Sequence, residues 1–127
     1  MIYGVGTDVV EIERIRKALS RWGDRFAQRV LCEPELKRFR AHRVPANYLA
    51  KRFAAKEAFA KALGTGIKAP ANWHGVWVTK QASGKPQLQF SEPLKKVLSS
   101  RGISGWHVSL ADERGVAVAT VILECEK

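Results

Sequence analysis

The hydrophobic pattern changes period several times along the chain, and each change marks an element. Residues 2–10, IYGVGTDVV, are rich in β-branched residues and read as a strand. Side chains alternate along a strand, so Gly4, Gly6 and Asp8 share one face. Two positions without side chains are expected to leave room beside Asp8 for something bulky. The rhythm then becomes helical over 11–29. Ile12, Ile15, Leu19, Trp22 and Phe26 recur at steps of three and four and form one stripe predicted to be buried. Gly23-Asp24 is a candidate break in that helix. Pro34 suits the first turn of a short helix, 34–41. A longer helix is predicted from about Ala46 to Leu63, ended by Gly64. Ala50, Ala54, Ala55, Ala58, Ala60 and Ala62 put small residues on most of its sides, which predicts close packing against its neighbours.

The rest of the chain alternates at period two. Strands are predicted over 75–80 and 87–90 around a turn at Ser83-Gly84-Lys85-Pro86, followed by a helix over 92–100. Two more strands, 105–111 and 116–124, flank a tight turn at Asp112-Glu113-Arg114-Gly115. In the first, Trp106, Val108 and Leu110 face one way and His107, Ser109 and Ala111 the other. The last strand, VAVATVIL, is apolar on both faces and should be central. The expected fold class is α+β, a mostly antiparallel sheet packed with a long central helix, in one domain spanning 1–127.

Composition narrows the possibilities. With 46% hydrophobic and 27% charged residues, the chain reads as globular rather than disordered. No apolar run reaches the ~20 residues of a membrane span, and the start lacks the pattern of a signal peptide, so a cytoplasmic location is expected. Cys32 and Cys125 are far apart and read as reduced thiols. The net charge is +10 and its placement is uneven. Residues 14–68 carry fifteen bases against four acids, while 1–13 carry three acids and no base. Such a field attracts nucleic acid, an acidic membrane, an acidic protein or a phosphorylated small molecule.

Three places could carry chemistry. Asp8 stands behind two glycines at a strand-to-helix junction. With Glu11 it also fits a capping box, so it reads equally as a helix cap and as a free carboxylate. Glu57 and Lys61 are four apart on the long helix and read either as a surface ion pair or as a carboxylate and an ammonium able to hold a metal and a phosphate together. Lys56 lies nearer Leu49 and Phe53 and is expected to snorkel from an apolar stripe. Gly64-Thr65-Gly66 closes the helix as a C-cap and turn, or offers amides to a phosphate. On the first helix Arg14, Arg21 and Arg25 share a narrow sector.

In order, Gly6-Thr7-Asp8, Arg14, the run Arg52-Phe53-Ala54-Ala55-Lys56-Glu57-Ala58-Phe59-Ala60-Lys61-Ala62-Leu63-Gly64-Thr65-Gly66 and His107-Val108-Ser109-Leu110 resemble the holo-acyl-carrier-protein synthases of the 4′-phosphopantetheinyl transferase superfamily. The resemblance covers nearly the whole chain; residues 68–100 carry little of it. It implies the phosphopantetheinyl transferase fold. It also implies a Mg²⁺-dependent transfer of 4′-phosphopantetheine from coenzyme A to a serine of apo acyl carrier protein, releasing adenosine 3′,5′-bisphosphate and supporting fatty acid biosynthesis. Asp8 and Glu57 would hold the metal, with Asp8, Glu57 and Lys61 catalytic and Glu57 the base, directly or through a water. Arg52, Lys61, Gly64, Thr65, Gly66 and His107 would contact coenzyme A. Arg14, Arg21 and Arg25 would dock the acidic carrier protein. The resemblance further implies a homotrimer with active sites between subunits. The rival from another class is a basic nucleic-acid-binding module without catalysis. The charge supports it, but the chain has no known base-reading motif, and its aromatics sit mainly at buried-stripe or strand positions rather than interleaved with basic residues.

Overall fold

The structure, a computed structural model, describes residues 1–126. The first strand, β1 (Ile2–Glu11), leads into helix α1 (Ile12–Trp22). Gly23, at φ +63°, ends α1, and α2 (Asp24–Val30) starts on a new axis. The helix predicted over 11–29 is therefore two helices. Trp22 leaves the apolar stripe at the break: it is 55% exposed, whereas Ile12 and Ile15 are buried. α3 (Glu33–Ala41) carries Pro34 in its first turn, and α4 (Pro45–Leu63) is the long helix. The hairpin β2 (Val76–Lys80) and β3 (Pro86–Phe90), helix α5 (Glu92–Ser100), and strands β4 (Ile103–Glu113) and β5 (Val116–Cys125) complete the chain. Among the described residues no helix is long and apolar enough to cross a membrane, and both cysteines are free.

The strands form two antiparallel sheets. One has the order β1-β5-β4, so the strand apolar on both faces is central; the other is the β2–β3 hairpin. Register fixes the faces of the larger sheet. Gly6 opposes Val121, which opposes Val108; Asp8 opposes Ala119, which opposes Leu110. These residues face α4. The other face carries Val5, Thr7 and Val9 on β1 and His107, Ser109 and Ala111 on β4, and it is open: Val5 and Val9 are 55% and 60% exposed.

α4 is buried on nearly every side, from Tyr48 and Leu49 through Ala54, Ala55, Ala58 and Phe59 to Leu63. A helix that is apolar all round belongs in a core. β1 lies against it backbone to backbone. A Cβ on Gly4 would stand 2.0 Å from the Ala62 carbonyl oxygen, and one on Gly6 would stand 1.9 Å from that of Ala58. The room expected beside Asp8 is thus filled by α4 itself. The glycines of β1 and the alanines of α4 are two sides of one close approach.

Gly6→Ala should cost at least about 2 kcal/mol in chemical denaturation, because the methyl meets backbone that cannot move without lifting the strand. A loss of under half a kcal/mol would contradict this account of the contact.

Candidate active site

The close approach sets down Asp8 beside α4. Lys61, on the exposed face of that helix, reaches across and donates to Asp8 Oδ1 at 3.1 Å and to the Thr7 carbonyl at 3.0 Å. Asp8 lies in mid-strand. The residue preceding α1 is Glu11, and no side chain caps that helix. The capping reading of Asp8 is therefore corrected: the strand runs three residues further than a cap at Asp8 would allow.

Glu57 is partly buried and close to Asp8. Its carboxyl is pushed above the ordinary value, first by burial and then by the charge of Asp8; Lys61 and Arg14 oppose both. Among the described residues neither Glu57 oxygen accepts a hydrogen bond from protein, and Asp8 uses only one of its two. Two carboxylates with free oxygens, held together against their mutual repulsion, form a site that a hard divalent cation relieves. Mg²⁺ needs only one or two protein carboxylates, completing its shell with water and substrate phosphate. The donor set fits that demand. Among the described residues no group of three or more His, Cys, Asp or Glu is arranged to hold a metal.

Other predicted residues are distributed differently. Gly64 is a left-handed C-cap at φ +90°, and the amides of Gly64, Thr65 and Gly66 all point back to the Ala60 carbonyl at 2.9, 3.2 and 3.4 Å. The C-cap reading holds, and these amides are already committed. Arg52 lies roughly 140° around α4 from Glu57 at 100° per residue. It is 2% exposed, its guanidinium sits 4.1 Å from the Tyr48 ring centroid, and its Nε and Nη2 have no partner. Burial lowers its pKa. It opens onto a cleft of about 250 Å³ lined by Arg38, His42, Lys51 and Lys80. His107 is exposed on the open face of the sheet, where it pairs with Glu124; it is not the inward histidine satisfied by Ser109 or backbone. Asp8, Glu57 and Lys61 thus come together within the chain, while Arg52 and His107 stay apart from them.

Arg14 and Arg21 stand exposed on α1 and Arg25 on α2. Arg14 lies 5.9 Å from the ring centroid of Phe53, which stacks on Trp73 at 5.0 Å and meets Phe26 at 6.5 Å. Arg25 lines a groove with Ala18, Trp22, Phe26 and Arg29, and Arg21 sits over the Trp22 ring at 4.9 Å. The pattern of one helix could not reveal this groove, since it exists because the helix breaks at Gly23.

Lys56 is the clearest misreading. It does not snorkel. It is 0% exposed and donates to Val30 O at 2.6 Å, Glu35 Oε1 at 2.7 Å and Trp73 O at 2.7 Å. A signal was available: on a helix with almost no polar face a lysine must be buried, and a buried ammonium needs an anion.

The raised Glu57 carboxyl makes a stability prediction with a definite sign. The folded state holds this proton where the unfolded chain has lost it, so the ionised form weakens the fold above the ordinary carboxylate pKa. In chelator-treated protein Glu57→Gln should therefore raise the thermal midpoint at pH 7. The gain should fade as pH falls through about 4.5. A variant less stable than wild type at pH 7 without metal would contradict the repulsive pair.

Comparison with known proteins places the chain in a family. Residues 4–121 match the family model described as the 4′-phosphopantetheinyl transferase superfamily. The chain is 51% identical over 124 residues to a holo-[acyl-carrier-protein] synthase of Azoarcus sp. (strain BH72), covering 98% of each. It superposes on the crystal structure of the holo-[acyl-carrier-protein] synthase from Neisseria meningitidis with a TM-score of 0.95 at 44% identity, covering 98% of this chain and 99% of that one. The synthase from Bacillus anthracis, solved in complex with CoA (3′,5′-ADP), superposes with a TM-score of 0.83 at 34% identity over 99% of both chains. None of these matches supports a nucleic-acid-binding module. By family model, sequence and fold alike, the chain belongs to the 4′-phosphopantetheinyl transferase superfamily.

Proposed function

We propose that this chain, as a single phosphopantetheinyl transferase domain, moves 4′-phosphopantetheine from coenzyme A to a serine of apo acyl carrier protein. Asp8 and Glu57 would hold the Mg²⁺ that assists the transfer. The observation that carries the assignment is the under-compensated pair of carboxylates that β1 and α4 bring together beside Lys61. The serine Oγ forms a bond to the phosphorus bearing pantetheine. The bond from that phosphorus to the bridging oxygen breaks, and adenosine 3′,5′-bisphosphate leaves. When bound, Mg²⁺ supplies charge neutralisation at the pyrophosphate. Glu57 takes the serine proton, directly or through a water. Lys61, already aimed at Asp8, places a second positive charge against the pyrophosphate.

The 3′-phosphate of coenzyme A needs further cations. The cleft around Arg52 supports this role, because a buried guanidinium with two unpartnered nitrogens beside Arg38, Lys51 and Lys80 is ready for an anion. Gly64, Thr65 and Gly66 contribute shape near the nucleotide rather than free amides. Arg52 and His107 lie away from Glu57 in one chain, and the open sheet face is apolar at Val5 and Val9. Both features support a homotrimer in which one subunit supplies Asp8 and Glu57 and its neighbour completes the coenzyme A pocket. A cytoplasmic location and a part in fatty acid biosynthesis follow from the same reading.

Incubation with coenzyme A, Mg²⁺ and apo acyl carrier protein should give the phosphopantetheinylated carrier by mass spectrometry. Asp8→Ala should slow transfer by roughly a hundredfold or more, and so should a chelator. Unchanged transfer in Asp8→Ala would remove this carboxylate from the site.

The basic groove of α1 and α2 fits an acidic carrier helix. Arg21→Glu should raise KM for the carrier about tenfold at low salt, with the difference shrinking as salt screens it, while the dissociation constant for coenzyme A stays as in wild type. Loss of coenzyme A affinity to the same degree would mean a damaged fold instead of a damaged dock.

A further inference from the structure

The residue before Glu57 is used by none of the chemistry above. Lys56 is fully buried, yet all three protons of its ammonium point at oxygens from three different segments. Val30 O is the last carbonyl of α2, Glu35 stands in the first turn of α3, and Trp73 lies in the segment leading to β2. Glu35, itself 1% exposed, has its own tethers: Oε1 accepts from Cys32 N at 3.0 Å and Oε2 from Val78 N at 2.9 Å.

We propose that the buried Lys56–Glu35 pair is a positioning device that fixes the carrier-docking helix α2 to the metal-holding helix α4, so that the docking groove keeps the shape the carrier binds. It rests on the carrier-docking reading of α1 and α2.

The physical case has three parts. First, α2 has only seven residues and cannot hold its own place. Its last carbonyl has no partner within the helix, and a lysine ammonium there satisfies it at the favourable end of the helix dipole. Second, a buried ion pair is a poor way to gain stability, since apolar replacements often do as well; a triply coordinated ammonium does select one arrangement of the segments it joins. Third, those segments carry the dock. Phe26 and Arg29 are on α2 and line the groove with Trp22 of α1. Trp73, held through its carbonyl, stacks on Phe53 at 5.0 Å, and Phe53 also meets Phe26 and carries Arg14. A displaced α2 splits the groove, so an acidic carrier helix loses contacts that α1 and α2 make only together.

The test compares Lys56→Met, and Lys56→Met/Glu35→Gln, which leaves no unpaired buried charge, with wild type and Arg21→Glu. Readouts are the fold by circular dichroism, KM for apo carrier protein, and the dissociation constant for coenzyme A by calorimetry in Mg²⁺. In either folded variant, KM for the carrier should rise about tenfold while coenzyme A affinity stays within threefold. A merely structural role would lower the active fraction, and hence apparent kcat, without moving KM. Carrier KM within twofold of wild type, or equal losses for both substrates, overturns the proposal. So does unfolding of both variants, which would make the pair a stability element alone. If Arg21→Glu leaves the carrier KM unchanged, the docking reading fails, and that outcome is distinct from failure of the Lys56 variants.

Discussion

Everything in this molecule depends on how closely β1 can approach α4. The strand touches the helix through backbone alone, at Gly4 against Ala62 and at Gly6 against Ala58. No side chain larger than hydrogen fits on the strand side. The helix side is alanine where they meet. This contact carries Asp8, two residues on along the same face, to the edge of α4, where Glu57 and Lys61 emerge. The placement of the two residues relative to each other is set by main chain. A site meant to act on developing charge gains most from groups that need no rearrangement when the charge appears.

α4 also shows how one helix can treat its charges in opposite ways. Lys56 is buried with every proton matched to an oxygen, and its counter-ion Glu35 is equally well held. One residue later, Glu57 is partly buried beside another carboxylate, with opposing cations that do not cancel the effect. Four residues before Lys56, Arg52 is buried with two nitrogens bonded to nothing. Satisfied charges hold segments in place. Those left unsatisfied are where the proposed metal and coenzyme A would bind. Lys56 and Glu57 illustrate the division at adjacent positions, because a step of 100° turns one side chain into the core and the next toward solvent.

This explains what could be read from the residues and what could not. Element order was legible, because period two and period 3.6 alternate cleanly and Gly23, Pro34 and Gly64 act as local punctuation. The central place of β5 was legible from its two apolar faces. Asp8, Glu57 and Lys61 could be named from motif order, and the fold brings these three together. Lys56 was misread because the pattern shows a lysine next to an apolar stripe but not Glu35, twenty-one residues earlier in the chain. The space beside Asp8 was misread for the same kind of reason. A glycine says only that a side chain is absent; what approaches in its place is a tertiary fact. Trp22 was assigned to the core because the helical stripe was carried through Gly23; it is instead the last residue of α1, where the helix stops and the ring stays exposed.

The residues that stay apart are the most instructive. Arg52 faces away from Glu57 across α4, and His107 faces away from Asp8 across the sheet. Each divide is a packed layer that no loop movement could reverse without unfolding the core. If both residues serve the same coenzyme A molecule as Asp8 and Glu57, they must come from another copy of the chain. A face that offers the metal pair must then meet a face that offers Arg52, and such head-to-tail contacts generate closed rings when the rotation closes. In the proposed trimer the apolar sheet face at Val5 and Val9 would turn toward the axis, where it needs cover most. One requirement, neutralising a pyrophosphate and a distant 3′-phosphate together, would thus account for an incomplete site, an uncovered sheet face and a buried arginine without a partner.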